Sequence, residues 1–367
     1  MNKKITYSQT GVDYSVMDPL KKLAQQKGKD TAKNLTNFNI KEVEGSRGES
    51  AYVWEEKDCY RAFVVEGLGT KNLVADAVQK ITGKTYYEQI AQDTIAAIVN
   101  DILTVGAIPQ VINAYFGSGS PNWFSDTDRS QALIEGWAKA CDIAGATWGG
   151  GETPGLSGII NPDTLDLAGA CIGTIEPKSK LTLGDKLKDG DNILLIESSG
   201  IHTNGLSLAR TIAENLPEGY ATLLPDQKMY GETLLVPSFI YVNLVKSLFE
   251  QGIDPHYMVN ITGHGWRKLI RANKEFTYLI NQVPPVLPIF EFLKQHSGSS
   301  DYEMYGNFNM GAGFAIYLPE DQIEKAQKIA SEQGFKSWNA GIVQKGPRKV
   351  VIEQKQITFE AETLGVR

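Results

Sequence analysis

Apolar and polar positions along the chain follow two different periods, which predicts a mixture of strands and helices. Residues 62–65 form a short apolar run, and residues 166–175 form a longer one, both typical of strands. Between them, residues 87–104 carry apolar side chains at helical spacing, so we predict a long helix there. Strands and helices therefore alternate in the first half of the chain, as in an α/β architecture.

The pattern stops at a polar segment, residues 176–192, which is rich in Lys, Asp and Gly and has little to bury. We place a domain boundary there and predict two domains, residues 1–178 and residues 179–367. Beyond the boundary the pattern predicts a strand at 193–196, a turn at 198–205, and helices at 206–215, 234–251 and 321–333.

Composition excludes several classes of function. The 367 residues include 36 basic and 43 acidic side chains, giving a formal net charge of −7, and no basic run offers a surface for nucleic acid. No apolar stretch is long enough to span a membrane. The three cysteines, Cys59, Cys141 and Cys171, are too far apart for a disulfide framework or a metal pair. These features predict a cytoplasmic protein without nucleic-acid or membrane partners.

Two carboxylates on the predicted long helix are candidate metal ligands. Asp93, Ala97 and Asp101 are four residues apart, which places both carboxylates on one side of the helix with a small residue between them. Such a pair suits a hard divalent cation that carries phosphates. The structural alternative is a solvated helix face.

A glycine-bearing turn follows the first predicted strand. Gly67 and Gly69 allow the backbone to approach an anion, while Thr70 supplies a hydroxyl and Lys71 a positive charge. Glu66 begins this turn. The alternative is an ordinary turn at the end of a strand.

Three consecutive glycines, residues 149–151, precede Glu152. Such a run is costly to order, so we predict that Gly150 and Gly151 form a backbone wall beside a ligand, with Glu152 facing a metal or a substrate amine. The alternative is a flexible loop.

The predicted turn at 198–205 lies between a strand and a helix, where exposed N–H groups favour phosphate. His202, Thr203 and Asn204 add hydrogen-bonding side chains to this turn. The alternative is a helix N-cap with a surface histidine.

Taken in order, these segments resemble the aminoimidazole ribonucleotide synthetase family, the phosphoribosylformylglycinamidine cyclo-ligases of purine biosynthesis. The resemblance covers nearly the whole chain, which makes it more specific than any single motif. Its segments are YSQTGVD at 7–13, EGLGTK at 66–71, GGET at 150–153, SSGIHTNG at 198–205 and FNMGAG at 308–313.

The resemblance implies two α/β domains, with strands of the first pairing across a homodimer and ATP bound along that interface. It implies a ligase that uses ATP and Mg²⁺ to activate the formyl amide oxygen of formylglycinamidine ribonucleotide. A substrate nitrogen then closes the imidazole ring, and ADP and phosphate are released.

The resemblance also implies roles for individual residues. It assigns the metal to Asp93 and Asp101, and catalytic roles to Lys71, Glu152 and His202. The implied nucleotide-binding residues are Glu66, Gly67, Gly69, Thr70, Asn100, Gly150, Gly151, Thr203 and Asn204.

Several positions depart from the family pattern. Glu66 and Ala114 stand where the family usually has Asp, and Gly155 where it has Glu. Asn260 replaces a family His, while His264 replaces a glycine four residues later.

The alternatives are therefore another ATP-using enzyme of the superfamily, or a dimer that binds nucleotide without closing the ring. The reactive cysteines of the selenophosphate synthetase and hydrogenase-maturation relatives have no counterpart near either end of this sequence.

Overall fold

The computed structural model describes residues 14–364, with side chains from residue 16 onward. The motif at 7–13 lies outside the described residues. Two β-sheets organise the described chain, one in each half, and helices pack against both. The mixed α/β class predicted from the alternating pattern is confirmed, although most neighbouring strands are antiparallel.

The first sheet has six strands in the order β1-β2-β3-β6-β4-β5. Their bounds are β1 (Lys41–Glu42), β2 (Tyr52–Glu55), β3 (Tyr60–Gly67), β4 (Ile108–Ser118), β5 (Thr147–Glu152) and β6 (Leu165–Ile175). β5 runs parallel to β4 at one edge, and the other neighbours are antiparallel. In β3, Ala62 and Val64 point into the core while Phe63 and Val65 are exposed on the other face, so one side of the sheet is open.

The helices of this half are α1 (Tyr14–Lys29), α2 (Lys71–Thr82), α3 (Tyr87–Leu103) and α4 (Thr127–Ile143). The predicted helix at 87–104 is confirmed as α3, which packs closely on β6. Gly169 and Gly173 of β6 permit this approach. A Cβ at Gly169 would lie 2.7 Å from Ile98 Cδ1, and a Cβ at Gly173 would lie 3.1 Å from Ile102 Cδ1. α3 is consequently the buried centre of this half.

The second sheet has seven strands in the order β13-β12-β9-β11-β7-β10-β8. Its strands are β7 (Asn192–Glu197), β8 (Tyr257–Asn260), β9 (Phe276–Ile280), β10 (Ala312–Leu318), β11 (Ser337–Lys345), β12 (Lys349–Ile352) and β13 (Ile357–Glu360). The helices are α5 (Leu206–Asn215), α6 (Tyr230–Leu234), α7 (Val242–Glu250), α8 (Pro288–Ser297), α9 (Asp301–Asn307) and α10 (Ile323–Glu332). β10 is buried along its whole length, which explains its continuous apolar sequence.

The single helix predicted over residues 234–251 is wrong. The chain forms α6 and α7 there, separated by residues 235–241, which we call the docking segment. Pro237 lacks an N–H and disfavours helix in the residue before it. The backbone groups of the docking segment instead bond to side chains of the first half, as described below.

The last strand of the first sheet ends at Ile175, and the first strand of the second begins at Asn192. The domain boundary between residues 178 and 179 lies in this interval and stays a prediction. Among the described residues, no helix is long and apolar enough to cross a membrane.

Candidate active site

A buried polar network joins the two halves. Lys71, the first residue of α2, forms an ion pair with Asp93 of α3 at 2.7 Å, and both side chains are 0% exposed. The Ser238 backbone N–H donates to Asp93 Oδ1 at 2.8 Å, and Lys71 Nζ donates to the Val236 carbonyl at 2.9 Å. Burial lowers the pKa of Lys71 and raises that of Asp93, so each charge depends on the other.

Asn100 extends this network along α3. Its Nδ2 donates to the Phe239 carbonyl at 2.8 Å, and its Oδ1 accepts from the Tyr241 N–H at 3.0 Å. Gln92 Nε2 donates to the Ser238 carbonyl at 2.9 Å. The polar face of α3 therefore holds the docking segment of the second half.

This network bears on the expected roles of Lys71, Asp93 and Asn100, which stay predictions. None of the three lines the cavity described next, and their polar groups are occupied by the docking segment. Asp93 and Asp101 share a helix face but are eight residues apart, or roughly 12 Å along the axis. That separation is too large for both to bind the same ion, and the Asp93 carboxylate is already paired with Lys71 and Ser238.

A cavity of about 560 Å³ opens between the two halves. Lys21 and Gln25 of α1 line one side of it. Its other polar and glycine lining residues come from loops, from the end of β3, from α3 and from the short helix Gly265–Ile270: Gly48, Glu49, Ser50, Glu66, Gly67, Gly69, Asp101, Thr203, Asn204, Thr262, His264, Lys268 and Arg271. The cavity therefore collects six of the predicted site residues from three separate parts of the sequence.

Two carboxylates meet in the wall of the cavity. Burial, followed by the charge of Asp101 and a hydrogen bond with it, raises the pKa of Glu66 to about 8. Asn260 Nδ2 donates to Asp101 Oδ1 at 2.7 Å, which fixes that carboxylate from the second half. A pair of adjacent carboxylates in a buried wall is the arrangement that a divalent cation relieves.

Cationic side chains come from the segment after β8. Lys268 Nζ donates to Thr262 Oγ1. Arg271 donates to the Gly48 carbonyl at 3.0 Å and to Ser50 Oγ at 2.8 Å, which ties the loop of the first half to the second. The sequence does not mark this segment as a source of charge, because its basic residues Arg267, Lys268 and Arg271 match no motif.

The turn at 198–205 divides its residues between the cavity and the core. Thr203 and Asn204 line the cavity, whereas the side chain of His202 is buried away from it and accepts a hydrogen bond at Nε2 from the Ser199 N–H at 3.3 Å. Burial, with a smaller contribution from the charge of Lys71, lowers the pKa of His202 to about 3. His202 is therefore not a surface histidine, and its role beside phosphate stays a prediction.

The glycines at 149–151 lie in β5, at the exposed edge of the first sheet, and not in the cavity. A Cβ on Gly151 would lie 2.2 Å from the Ala114 carbonyl oxygen, so the missing side chain allows β5 to pair with β4. Glu152 is exposed on the same edge. Close pairing of strands thus accounts for Gly151, and Thr70 likewise lies outside the cavity lining, while the roles expected for these residues beside a ligand stay predictions.

Comparison with known proteins agrees with this arrangement of two halves. The model of the AIR synthase related protein N-terminal domain matches residues 48–175, and that of the C-terminal domain matches residues 188–354. The chain belongs to the AIR synthase related family. The two matched domains flank residues 176–187. The first contains strands β2 to β6 of the first sheet, and the second contains strands β7 to β12 of the second sheet.

Members of the AIR synthase family with assigned names are similar over almost the whole chain. The phosphoribosylformylglycinamidine cyclo-ligase of Pyrococcus horikoshii is 33% identical over 358 residues, covering 97% of this chain and 100% of the relative. That of Carboxydothermus hydrogenoformans is 32% identical over 363 residues, covering 96% and 100%. The family predicted from the motifs is thus confirmed.

Solved structures share the AIR synthase fold at low sequence identity. AaThiL complexed with AMPPCP and TMP has a TM-score of 0.59 and 12% identity, covering 85% of this chain and 90% of that one. T. maritima PurL complexed with FGAR has a TM-score of 0.58 and 15% identity, covering 87% and 48%. At these identities the similarity establishes the fold alone.

Proposed function

We propose that the chain catalyses the ATP-dependent cyclisation of formylglycinamidine ribonucleotide to aminoimidazole ribonucleotide, with release of ADP and phosphate. The observation that carries the proposal is the match of 97% of the chain to a named cyclo-ligase at 33% identity. The cavity supports it, because the turn at 66–69, Asp101 and the Thr203–Asn204 pair converge there.

The residues present fit a magnesium ion that accompanies ATP. Glu66 and Asp101 supply adjacent carboxylates, and Mg²⁺ is commonly held by one or two carboxylates together with substrate phosphates and water. The described residues contain no cluster of three or more His, Cys, Asp or Glu side chains suited to a metal, which agrees with a site completed by substrate. When bound, the ion would neutralise charge on the transferring phosphoryl group.

The reaction needs the formyl amide oxygen of one substrate aligned with the γ-phosphorus of the other and with the bridging oxygen that leaves. The formyl amide oxygen forms a bond to the γ-phosphorus of ATP, and the bond to the bridging oxygen breaks so that ADP leaves with the electron pair. A substrate nitrogen then attacks the activated carbon and loses a proton, and phosphate leaves with the electrons of the carbon–oxygen bond. Backbone N–H groups of the turn at 66–69 and the side chains of Thr203 and Asn204 would orient these groups in the cavity.

A coupled assay tests this proposal directly. Purified protein is incubated with formylglycinamidine ribonucleotide, ATP and Mg²⁺, and ADP release and aminoimidazole product are followed together. We expect both in equal amounts. ADP without product would show a different acceptor, and ATP binding without turnover would show a nucleotide-binding relative that lacks the ring-closing activity.

We also propose a homodimer formed through the open face of the first sheet. This face exposes a group of large apolar side chains, which is unusual for a monomer. The exposed fractions are 38% for Phe63, 61% for Val65, 41% for Val111 and 37% for Ile172. Val65→Glu is expected to convert the dimer to a monomer in sedimentation velocity, whereas Ile81→Glu on α2 leaves it unchanged. A Val65→Glu protein that still sediments as a dimer would contradict this interface.

The proposal includes a cytoplasmic location. The three free, buried cysteines agree with a reducing compartment.

A further inference from the structure

Lys268 is a buried lysine in the wall of the cavity. It belongs to the short helix Gly265–Ile270 and is 9% exposed. Its Nζ donates to the hydroxyl of Thr262, which also lines the cavity. The lysine is therefore held in position by a neutral group.

Among the described residues, no carboxylate forms an ion pair with Lys268, although Asp101 and Glu66 are close enough to affect its charge. Lys71 differs, because its Nζ lies 2.7 Å from a carboxylate. A buried ammonium group without a paired anion is unfavourable unless a ligand supplies the negative charge. Among the described residues, the fold thus offsets the charge of Lys268 from a distance, through Asp101 and Glu66, without a direct ion pair.

Other groups around Lys268 favour an anion with several acceptor oxygens. His264 lines the same part of the cavity, and burial, followed by the charge of Lys268, lowers its pKa to about 3, so the imidazole is a neutral hydrogen-bonding group. Lys21 and Arg271 add positive charge at the cavity wall. An ammonium, a hydroxyl and an imidazole together match the acceptors of a phosphate group.

We propose that Lys268, with Thr262 and His264, binds a phosphate group of the substrates in this cavity. The inference rests on the proposed function for the identity of those substrates. Two sources share this chemistry, the terminal phosphate of ATP and the 5′-phosphate of the ribonucleotide. The experiment below distinguishes them.

Binding is measured by isothermal titration of the full chain with two probes, ATP with Mg²⁺ and, separately, ribose 5-phosphate. The variants are Lys268→Gln, which removes the charge, and Lys268→Arg, which keeps it. Lys274→Gln is the matched control, because Lys274 lies outside the cavity and contacts Asp185 at 3.8 Å. Thermal unfolding of each variant establishes that it is folded before titration.

Lys268→Gln is expected to weaken one of the probes by about 10- to 100-fold, the usual loss for a hydrogen bond to a charged group. Lys268→Arg should retain most of the affinity, and Lys274→Gln all of it. Weaker binding of ATP assigns the site to the nucleotide. Weaker binding of ribose 5-phosphate assigns it to the ribonucleotide.

Unchanged affinity of Lys268→Gln for both probes would overturn the proposal, as would a wild-type protein that binds neither. These outcomes are independent of turnover. A chain that forms no product but binds phosphate through Lys268 would refute the proposed reaction and leave this site in place.

Discussion

Two clusters at the junction of the halves use the same residue types for different purposes. In the buried network, Lys71, Asp93 and the docking segment supply one another with partners inside the chain. In the cavity, Glu66 and Asp101 lie side by side, and Lys268 has a hydroxyl as its bonded partner. The difference shows that residue type does not define function here. What matters is whether the fold itself neutralises the charge.

This comparison predicts opposite results for the two lysines. A substitution in the buried network should reduce stability, because its charges are paired within the chain. A substitution in the cavity should instead reduce ligand binding or turnover.

Lys71→Met should destabilise the protein by about 3 to 5 kcal/mol, because it leaves the Asp93 carboxylate buried without its partner. The measurement is the free energy of unfolding in urea. The kcat of the folded fraction should stay within about threefold of wild type, because Lys71 does not line the cavity and its removal deletes no contact there.

The double variant Lys71→Met/Asp93→Leu is the control for this prediction. Removing both charges should recover much of the lost stability. A Lys71→Met protein of normal stability and strongly reduced kcat would return Lys71 to a catalytic role.

Asp101→Asn should lower kcat/KM by about 100- to 1000-fold, because an amide is a poorer partner for a cation at the phosphoryl group. The expected loss of stability is small, since the Asn260 side chain can still donate to the remaining oxygen. Steady-state kinetics across a range of Mg²⁺ concentrations provide the measurement. Near-normal turnover at low Mg²⁺ would exclude Asp101 from the metal site.

His202 should make the protein sensitive to acid. Its pKa is about 3 in the folded chain, against about 6.5 when unfolded, so between these values the unfolded chain binds the additional proton. The contribution to stability is complete above pH 6.5 and is lost as the pH falls, by about 1.4 kcal/mol per unit.

His202→Asn should remove that part of the slope, because Asn has no charge to gain and tolerates the left-handed backbone at φ 59°. Urea unfolding of both proteins between pH 7 and 4 measures the difference. Parallel curves would show that folding does not lower the pKa of His202.

The smallest effect is expected at His264, which has a φ of 68° in the left-handed region. His264→Gly should stabilise the fold by about 1 kcal/mol through relief of this strain, while removing a group from the cavity. Gln356→Gly, at a φ of 54° away from the cavity, is the matched control for strain alone. A destabilised His264→Gly protein would show that contacts of the imidazole outweigh the backbone cost.

Much of this arrangement could be predicted from local pattern. The helix α3 was clear from its apolar spacing, and the turn at 66–69 and the Thr203–Asn204 pair reach the cavity as their glycines and polar groups suggested. The apolar spacing could not distinguish the role of Asp93 from that of Asp101. It shows which face of the helix a residue occupies, but not which residues of other elements contact it. Ser238 and Asn260, which decide the two roles, come from distant parts of the chain.

Lys268 illustrates a second limit. In the sequence it is one of several basic residues after β8, beside Arg267 and Arg271, and nothing local indicates that it is buried. Its burial depends on the cavity formed by both halves. A basic residue close to a glycine turn is a weak signal, and only the surrounding structure gives it chemical meaning.

The docking segment has a consequence for how the sequence can vary. Lys71, Gln92 and Asn100 bond to its carbonyl and amide groups, which every residue except proline provides in full. Side chains at positions 236 and 239 can therefore be exchanged without loss of these bonds, whereas a single deletion would shift every carbonyl away from its donor. These backbone bonds depend on chain length and backbone path, so we expect the junction to reject insertions and deletions more strongly than substitutions at positions 236 and 239.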